Sequence, residues 1–108
     1  MPTLLRETVF AAAGSNANVN TGSIFETCRR RQALSIGIVT TVAANLAGCN
    51  VGADVVAEEF VAPVLATYPI IPDNFYFTDI GEPNDRIVIF VRATIATTYR
   101  TAVIIADI

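Results

Sequence analysis

The segment Arg86–Ile108, RIVIFVRATIATTYRTAVIIADI, constrains the fold more than any other part of the chain. Ile87, Ile89, Val91, Ala93 and Ile95 occupy alternate positions, with Arg86, Val88, Phe90, Arg92 and Thr94 between them. Successive side chains of an extended strand point to opposite faces, so this period of two separates a core row from an outer row. The outer row holds Val88 and Phe90 between two arginines, where a wet face would be polar. Ala96-Thr97-Thr98 is expected to turn the chain. Tyr99, Thr101, Val103, Ile105 and Asp107 then alternate with Arg100, Ala102, Ile104, Ala106 and Ile108, apolar on both sides near the end. The expectation is a hairpin of Arg86–Ala96 and Tyr99–Ile108. A long flat strand pair of this kind aggregates unless it is covered. The chain's own second sheet is expected over one face and neighbouring subunits over part of the other.

The rest of the chain reads as further short strands. Residues 3–12, TLLRETVFAA, form a first strand or an arm. Residues 13–23, AGSNANVNTGS, have the composition of a loop or flexible connector. Ile24 to Cys28 is a short strand. In residues 32–44, Leu34, Ile36, Ile38 and Val42 share one parity, the pattern of a half-buried strand. Asn45 to Asp54, with two Gly and two Asn, reads as a turn region. Val55 to Ala66 repeats Val56, Phe60 and Val64 at helical spacing, but Pro63 opposes a helix, and an extended segment with Pro63 at an edge or bulge is preferred. Residues 68–73 are extended connector. Phe75-Tyr76-Phe77 is a short aromatic strand, Phe75 and Phe77 inward and Tyr76 outward, and Gly81 to Asp85 is a turn. Short strands separated by Gly, Asn and Pro turns predict an all-β, antiparallel β-sandwich or jelly-roll-like single domain over residues 24–108, with residues 1–23 as an N-terminal arm or strand and loop.

Composition narrows function more than it names it. The 108 residues fit one core. Only 16% are charged against 53% hydrophobic, which leaves little charge for a fully solvated surface. All seven basic residues are Arg, which suits fixed ion pairs and interfaces. The net charge of −3 gives no polyanion footprint, so no specific nucleic-acid partner is expected. There is no His, the commonest general base and metal ligand. Cys28 and Cys49 are too few for a disulfide scaffold or zinc site, and two buried free thiols are expected rather than a pair. The start, MPTLLRETVF, lacks the pattern of a secretory leader. Gln32 to Ala53 carries no charge over 22 residues, follows Arg29-Arg30-Arg31 and holds Gly48-xxx-Gly52, features of a membrane helix. Its six polar side chains and period of two favour a strand, so no membrane span is expected.

Each chemical motif meets a plainer explanation. Arg29, Arg30 and Arg31 lack a second basic cluster and are expected to pair with Glu26, Glu58, Glu59 or a partner's carboxylate. Glu58 and Glu59, as strand neighbours, point to opposite faces and cannot share a substrate. Asp73, Asp79, Glu82 and Asp85 lie within 13 residues, but the calcium-loop pattern is absent and turn chemistry accounts for them. Neither cysteine has a His to activate it. No catalytic residue, cofactor or metal is assigned, and the chain is expected not to be an enzyme.

The succession CRRRQALSIGIVTTVAAN, YPIIPDNFYF, GEPND, RIVIFVRATIA and TYRTAVIIADI resembles the small β-sandwich modules of tailed-phage virion proteins, the capsid decoration or cement type, over residues 24–108. The resemblance implies a virion structural protein on the capsid surface, made in the host cytoplasm. It also implies a homotrimer bound to the major capsid protein, with an arm reaching neighbouring subunits. Interface candidates are Leu4, Leu5, Val9 and Phe10 of the arm, Arg29, Arg30 and Arg31, and Val88, Phe90 and Arg92 of the outer row. The alternatives are a tail or baseplate module, or another virion-associated binding module, and, third, a small membrane-associated protein using residues 32–53. Sugar recognition is disfavoured by three Tyr and no Trp.

Overall fold

The structure, a computed structural model, describes residues 3–23, 26–71 and 76–107. Eight strands make it up: β1 (Thr3–Phe10), β2 (Gly14–Asn16), β3 (Gln32–Thr40), β4 (Leu46–Val51), β5 (Asp54–Val61), β6 (Phe77–Gly81), β7 (Ile87–Ala93) and β8 (Thr97–Asp107). They form two four-stranded antiparallel sheets, ordered β1-β8-β3-β6 and β2-β7-β4-β5. The chain passes repeatedly from one sheet to the other, the winding of a jelly-roll sandwich. The all-β expectation is met, and residues 3–10 take the strand alternative, as one edge of the first sheet. Expectations that fall on Ile24, Pro72, Asp73, Phe75 and Ile108 lie outside the described residues.

Alternation decides what each strand buries. Leu34, Ile36 and Ile38 of β3 and Tyr99, Val103 and Ile105 of β8 meet Ala47, Cys49 and Val51 of β4 and Ile87, Ile89, Val91 and Ala93 of β7, all buried. Phe10 packs edge-on to Tyr99 with centroids 5.7 Å apart, and Phe60 to Phe77 at 5.1 Å. These two pairs lie near opposite edges of the sandwich, where sheet spacing must be filled by rings.

The expected hairpin does not form. β7 and β8 lie in different sheets, and the chain crosses between them at residues 94–96. Alternation specifies a strand and its buried face but not its neighbour. Polar groups fix the crossing. Asn45 Oδ1 accepts from the Thr94 amide at 2.8 Å, and the buried hydroxyls of Thr40 and Thr97 lie 2.6 Å apart. The Tyr99 hydroxyl lies 2.8 Å from the Leu46 carbonyl and 3.0 Å from that of Arg92, a donor shared between β4 and β7. Thr97 and Thr98 are therefore in β8 and not in the turn, and Ile95 is exposed in the connection.

The expected turn of residues 45–54 is the second correction. Leu46–Val51 is an inner strand, and only residues 52–53 turn, with Gly52 at φ +57°. Gly48 has a packing reason instead: the ring of Phe90 fills the space beside it, and its neighbours Ala47 and Cys49 face the core. The strand of residues 32–44 ends at Thr40, and the aromatic strand begins at Phe77, which faces inward against the core. The polar 13–23 segment carries β2 and then an asparagine ladder along the edge of β7. Asn18 Oδ1 accepts from the Ile89 amide at 3.1 Å, Val19 donates to the Ile89 carbonyl at 2.8 Å, and Asn20 Nδ2 donates to the Ile87 carbonyl at 3.1 Å. Three side-chain and backbone groups thus stand in for an edge strand that the sequence reads as loop.

Residues 62–71 cover part of the outer face of β3 and β8. Leu65 donates to the Thr40 carbonyl at 3.0 Å, and Pro69 and Ile71 lie against Gly37. Arg100 pins the segment, donating to the Ala66 carbonyl at 2.9 Å and standing 5.9 Å from the Tyr68 ring centroid. Val39 and Ala102, on the outer face of their sheet by register, are buried.

Candidate interaction surfaces

Two outward faces gather the candidate residues. On the sheet β2-β7-β4-β5, register places Val88, Phe90 and Arg92 of β7 beside Asn50, Gly48 and Leu46 of β4, with Val55 and Val61 of β5 beyond. The far end of the Phe90 ring sits over Gly48, and Phe90, Val88 and Leu46 are half-buried. Val55 and Val61 are 62% and 63% exposed. The polar groups on this face include Ser15 beside Arg92, Asn50, and an ion pair in which Arg92 donates to Glu59 from Nε at 3.0 Å and also from Nη2. The pair holds the Glu59 carboxyl below its usual range, chiefly through the hydrogen bonds from Arg92. Paired in this way, Arg92 presents little net charge to a partner.

β5 is irregular here. Its register against β4 shifts between Ala47 and Cys49 and again between Cys49 and Asn50, so Glu58 and Glu59 lie in a bulge opposite Gly48. Both are exposed. The bulge interrupts the regular alternation on which their expected opposite facing rests, and Glu59 is tied to the outer face through Arg92.

The second face belongs to β1-β8-β3-β6. Leu4 and Phe10 pack against the core, whereas Leu5 and Val9 are 50% and 67% exposed. The expected arm contacts are thus divided by alternation, two inward and two outward. Leu5 shares its outward face with Ile104 and Ala106 of β8, Ala33 and Ser35 of β3, and Ile80 and Thr78 of β6.

Arg29, Arg30 and Arg31 lie apart from both faces, exposed ahead of β3. Arg31 pairs with Glu82 at 3.1 Å. Two of the expected acidic partners are engaged by other arginines: Glu26 pairs with Arg86 at 3.2 Å, and Glu59 with Arg92. Asp85 accepts from the Glu82 amide at 2.9 Å, closing the turn that its position implied. Among the described residues, no group of three or more His, Cys, Asp or Glu could hold a metal ion. Cys28 and Cys49 are free and buried. Burial pushes the Cys49 thiol up to about 11, with Asp79 adding to it, and raises Cys28 with help from Asp85. Such thiols are poor nucleophiles at neutral pH. Residues 32–53 form β3 and β4, and no helix among the described residues is long and apolar enough to cross a membrane.

Sequence alone does not reveal the Leu46, Gly48 and Asn50 row, because residues 45–54 have the composition of a turn, nor its neighbours Val55 and Val61. Their outward position follows once Leu46–Val51 is a strand. Compared with protein-family models, curated proteins and solved structures, the chain finds no match in any of the three.

Proposed function

We propose that the chain is a non-catalytic structural subunit of a phage virion, a capsid decoration or cement protein that seats the outer face of β2-β7-β4-β5 on the major capsid protein. The observation that supports this reading is the surface around Phe90. It carries Leu46, Val55, Val61 and Val88 around a flat aromatic ring, and its one ion pair is internally neutralised. Interface centres have this composition, apolar and aromatic with arginine, depleted of unpaired charge. The jelly-roll winding agrees by analogy, since it recurs in viral coat domains, though the same winding also serves lectins. Mechanically, a rigid sandwich laid across a joint between capsid subunits ties them together. At about 25 cal/mol per Å² of apolar surface removed from water, small contacts repeated over a shell become substantial. Co-sedimentation of the purified chain with DNA-free heads of its own phage tests the reading. Saturable binding that raises the temperature at which the heads rupture is expected. Failure to co-sediment with heads, or binding to isolated tails alone, would reject it.

A further inference from the structure

The chain has seven basic residues, all Arg, so an arginine-directed protease of the trypsin class has seven bonds to choose from. The fold protects four of them. Arg6 is paired with Thr101, Arg92 with Ser15 and Leu46, and Arg100 with Glu7 and Val39, each inside a strand ladder. Arg86 is bridged to Thr27, and its carbonyl accepts from the Gly52 amide at 3.0 Å. Arg29, Arg30 and Arg31 stand differently. They are exposed, form a bend between Cys28 and the start of β3, and belong to no strand. The ion pair of Arg31 with Glu82 is itself solvent-exposed.

We infer that the bend Arg29–Arg31 is a processing site, where an arginine-directed protease opens the folded chain first and leaves the two pieces assembled. In the cut, water adds across one peptide bond, giving an arginine carboxylate and a new amine. A protease draws its substrate into its cleft as an extended segment, so the chain must leave its native pairing before it is cut. At the bend this costs the backbone bonds that Cys28 makes with Asn84 and Asp85. At Arg6, Arg92 or Arg100 it costs a strand. The pieces stay together because the N-terminal one is woven into both sheets. β1 pairs with β8 over eight residues, and β2 with β7. Leu4, Phe10, Val19 and Cys28 pack in the core, and Asn18 and Asn20 hydrogen-bond to the backbone of β7. The cut removes none of these contacts, but it removes the tether. Cohesion of the two pieces then depends on concentration, and β1 and β2 become exchangeable where the intact chain holds them permanently. The inference goes beyond the capsid reading and does not depend on it.

Limited digestion of the purified full chain with trypsin, read by mass spectrometry and gel filtration, tests it. The first products are expected to end at Arg29, Arg30 or Arg31, to elute together where the uncut chain elutes, and to separate only in denaturant. Arg29→Gln, Arg30→Gln and Arg31→Gln combined, with an unchanged β-type circular dichroism spectrum, are expected to slow the first cut by at least about tenfold, since cleavage follows the population of the open form. A first cut after Arg6, Arg86, Arg92 or Arg100, a wild type left whole until it unfolds, pieces that part without denaturant, or a combined variant cut as fast as the wild type would each overturn it.

Discussion

The ring of Phe90 occupies the space that a side chain on Gly48 would need. The two residues face each other across the β4–β7 pair, on the outer side of the sheet. A glycine in an inner strand weakens it unless something packs there, and here an aromatic ring does. Gly48→Ala is expected to lift the ring and to destabilise by about 1–3 kcal/mol, the range for overpacking. Chemical denaturation gives the loss, and stronger binding of an apolar dye would report the displaced ring.

Tyr99 joins the sheets through its hydroxyl. Tyr99→Phe keeps the buried ring and its contact with Phe10 but removes the donor to the Leu46 and Arg92 carbonyls. A loss of about 1–3 kcal/mol is expected, because a buried carbonyl left without a donor carries its desolvation penalty. A change in denaturation midpoint without a change in slope is the expected form.

Cys49 predicts an alkaline weakness. Its thiol titrates at 9.0 ordinarily and at about 11 in the fold, because burial disfavours the thiolate. The folded value is the higher one, so this contribution is complete below about pH 9 and is lost as pH rises toward 11. Cys49→Ala removes the coupling. Over that interval the wild type is expected to lose on the order of 2 kcal/mol more than Cys49→Ala. Parallel slopes for the two proteins would contradict the assignment.

Arg100 holds residues 62–71 against β3 and β8. Arg100→Ala deletes the bond to the Ala66 carbonyl, the contact with Tyr68 and the pair with Glu7. A loss of about 1–2 kcal/mol is expected. Amide exchange should quicken selectively at Leu65, whose partner is Thr40, while amides of β4 and β7 keep their protection.

Much of this architecture was legible before the fold. Ile87, Ile89, Val91 and Ala93 announced their buried face through a period of two, and Val88, Phe90 and Arg92 their outer one, because a strand's geometry writes itself into alternation. Partner choice was not legible. β7 and β8 separate into different sheets through the Tyr99 hydroxyl, Asn45 and a pair of threonines, groups that are ordinary in any turn. Leu46–Val51 was hidden by Gly48 and Asn50, whose composition signals a turn while their placement answers to Phe90 and the sheet face. Asn18 and Asn20 were hidden likewise, since an asparagine that completes a sheet edge looks like one in a loop. The candidate surface was half visible for the same reason: its β7 row was readable, and its β4 and β5 rows depended on the misread strand.

Binding of face variants to DNA-free heads probes the proposed seating of the Phe90 face on the capsid. Val61→Asp places a charge on that face, and Val64→Asp places one on an exposed site of the connector over the other sheet. Val61→Asp is expected to weaken binding by at least about tenfold, while Val64→Asp binds as the wild type does. Equal affinity of Val61→Asp and wild type, or a loss confined to Val64→Asp, would contradict it.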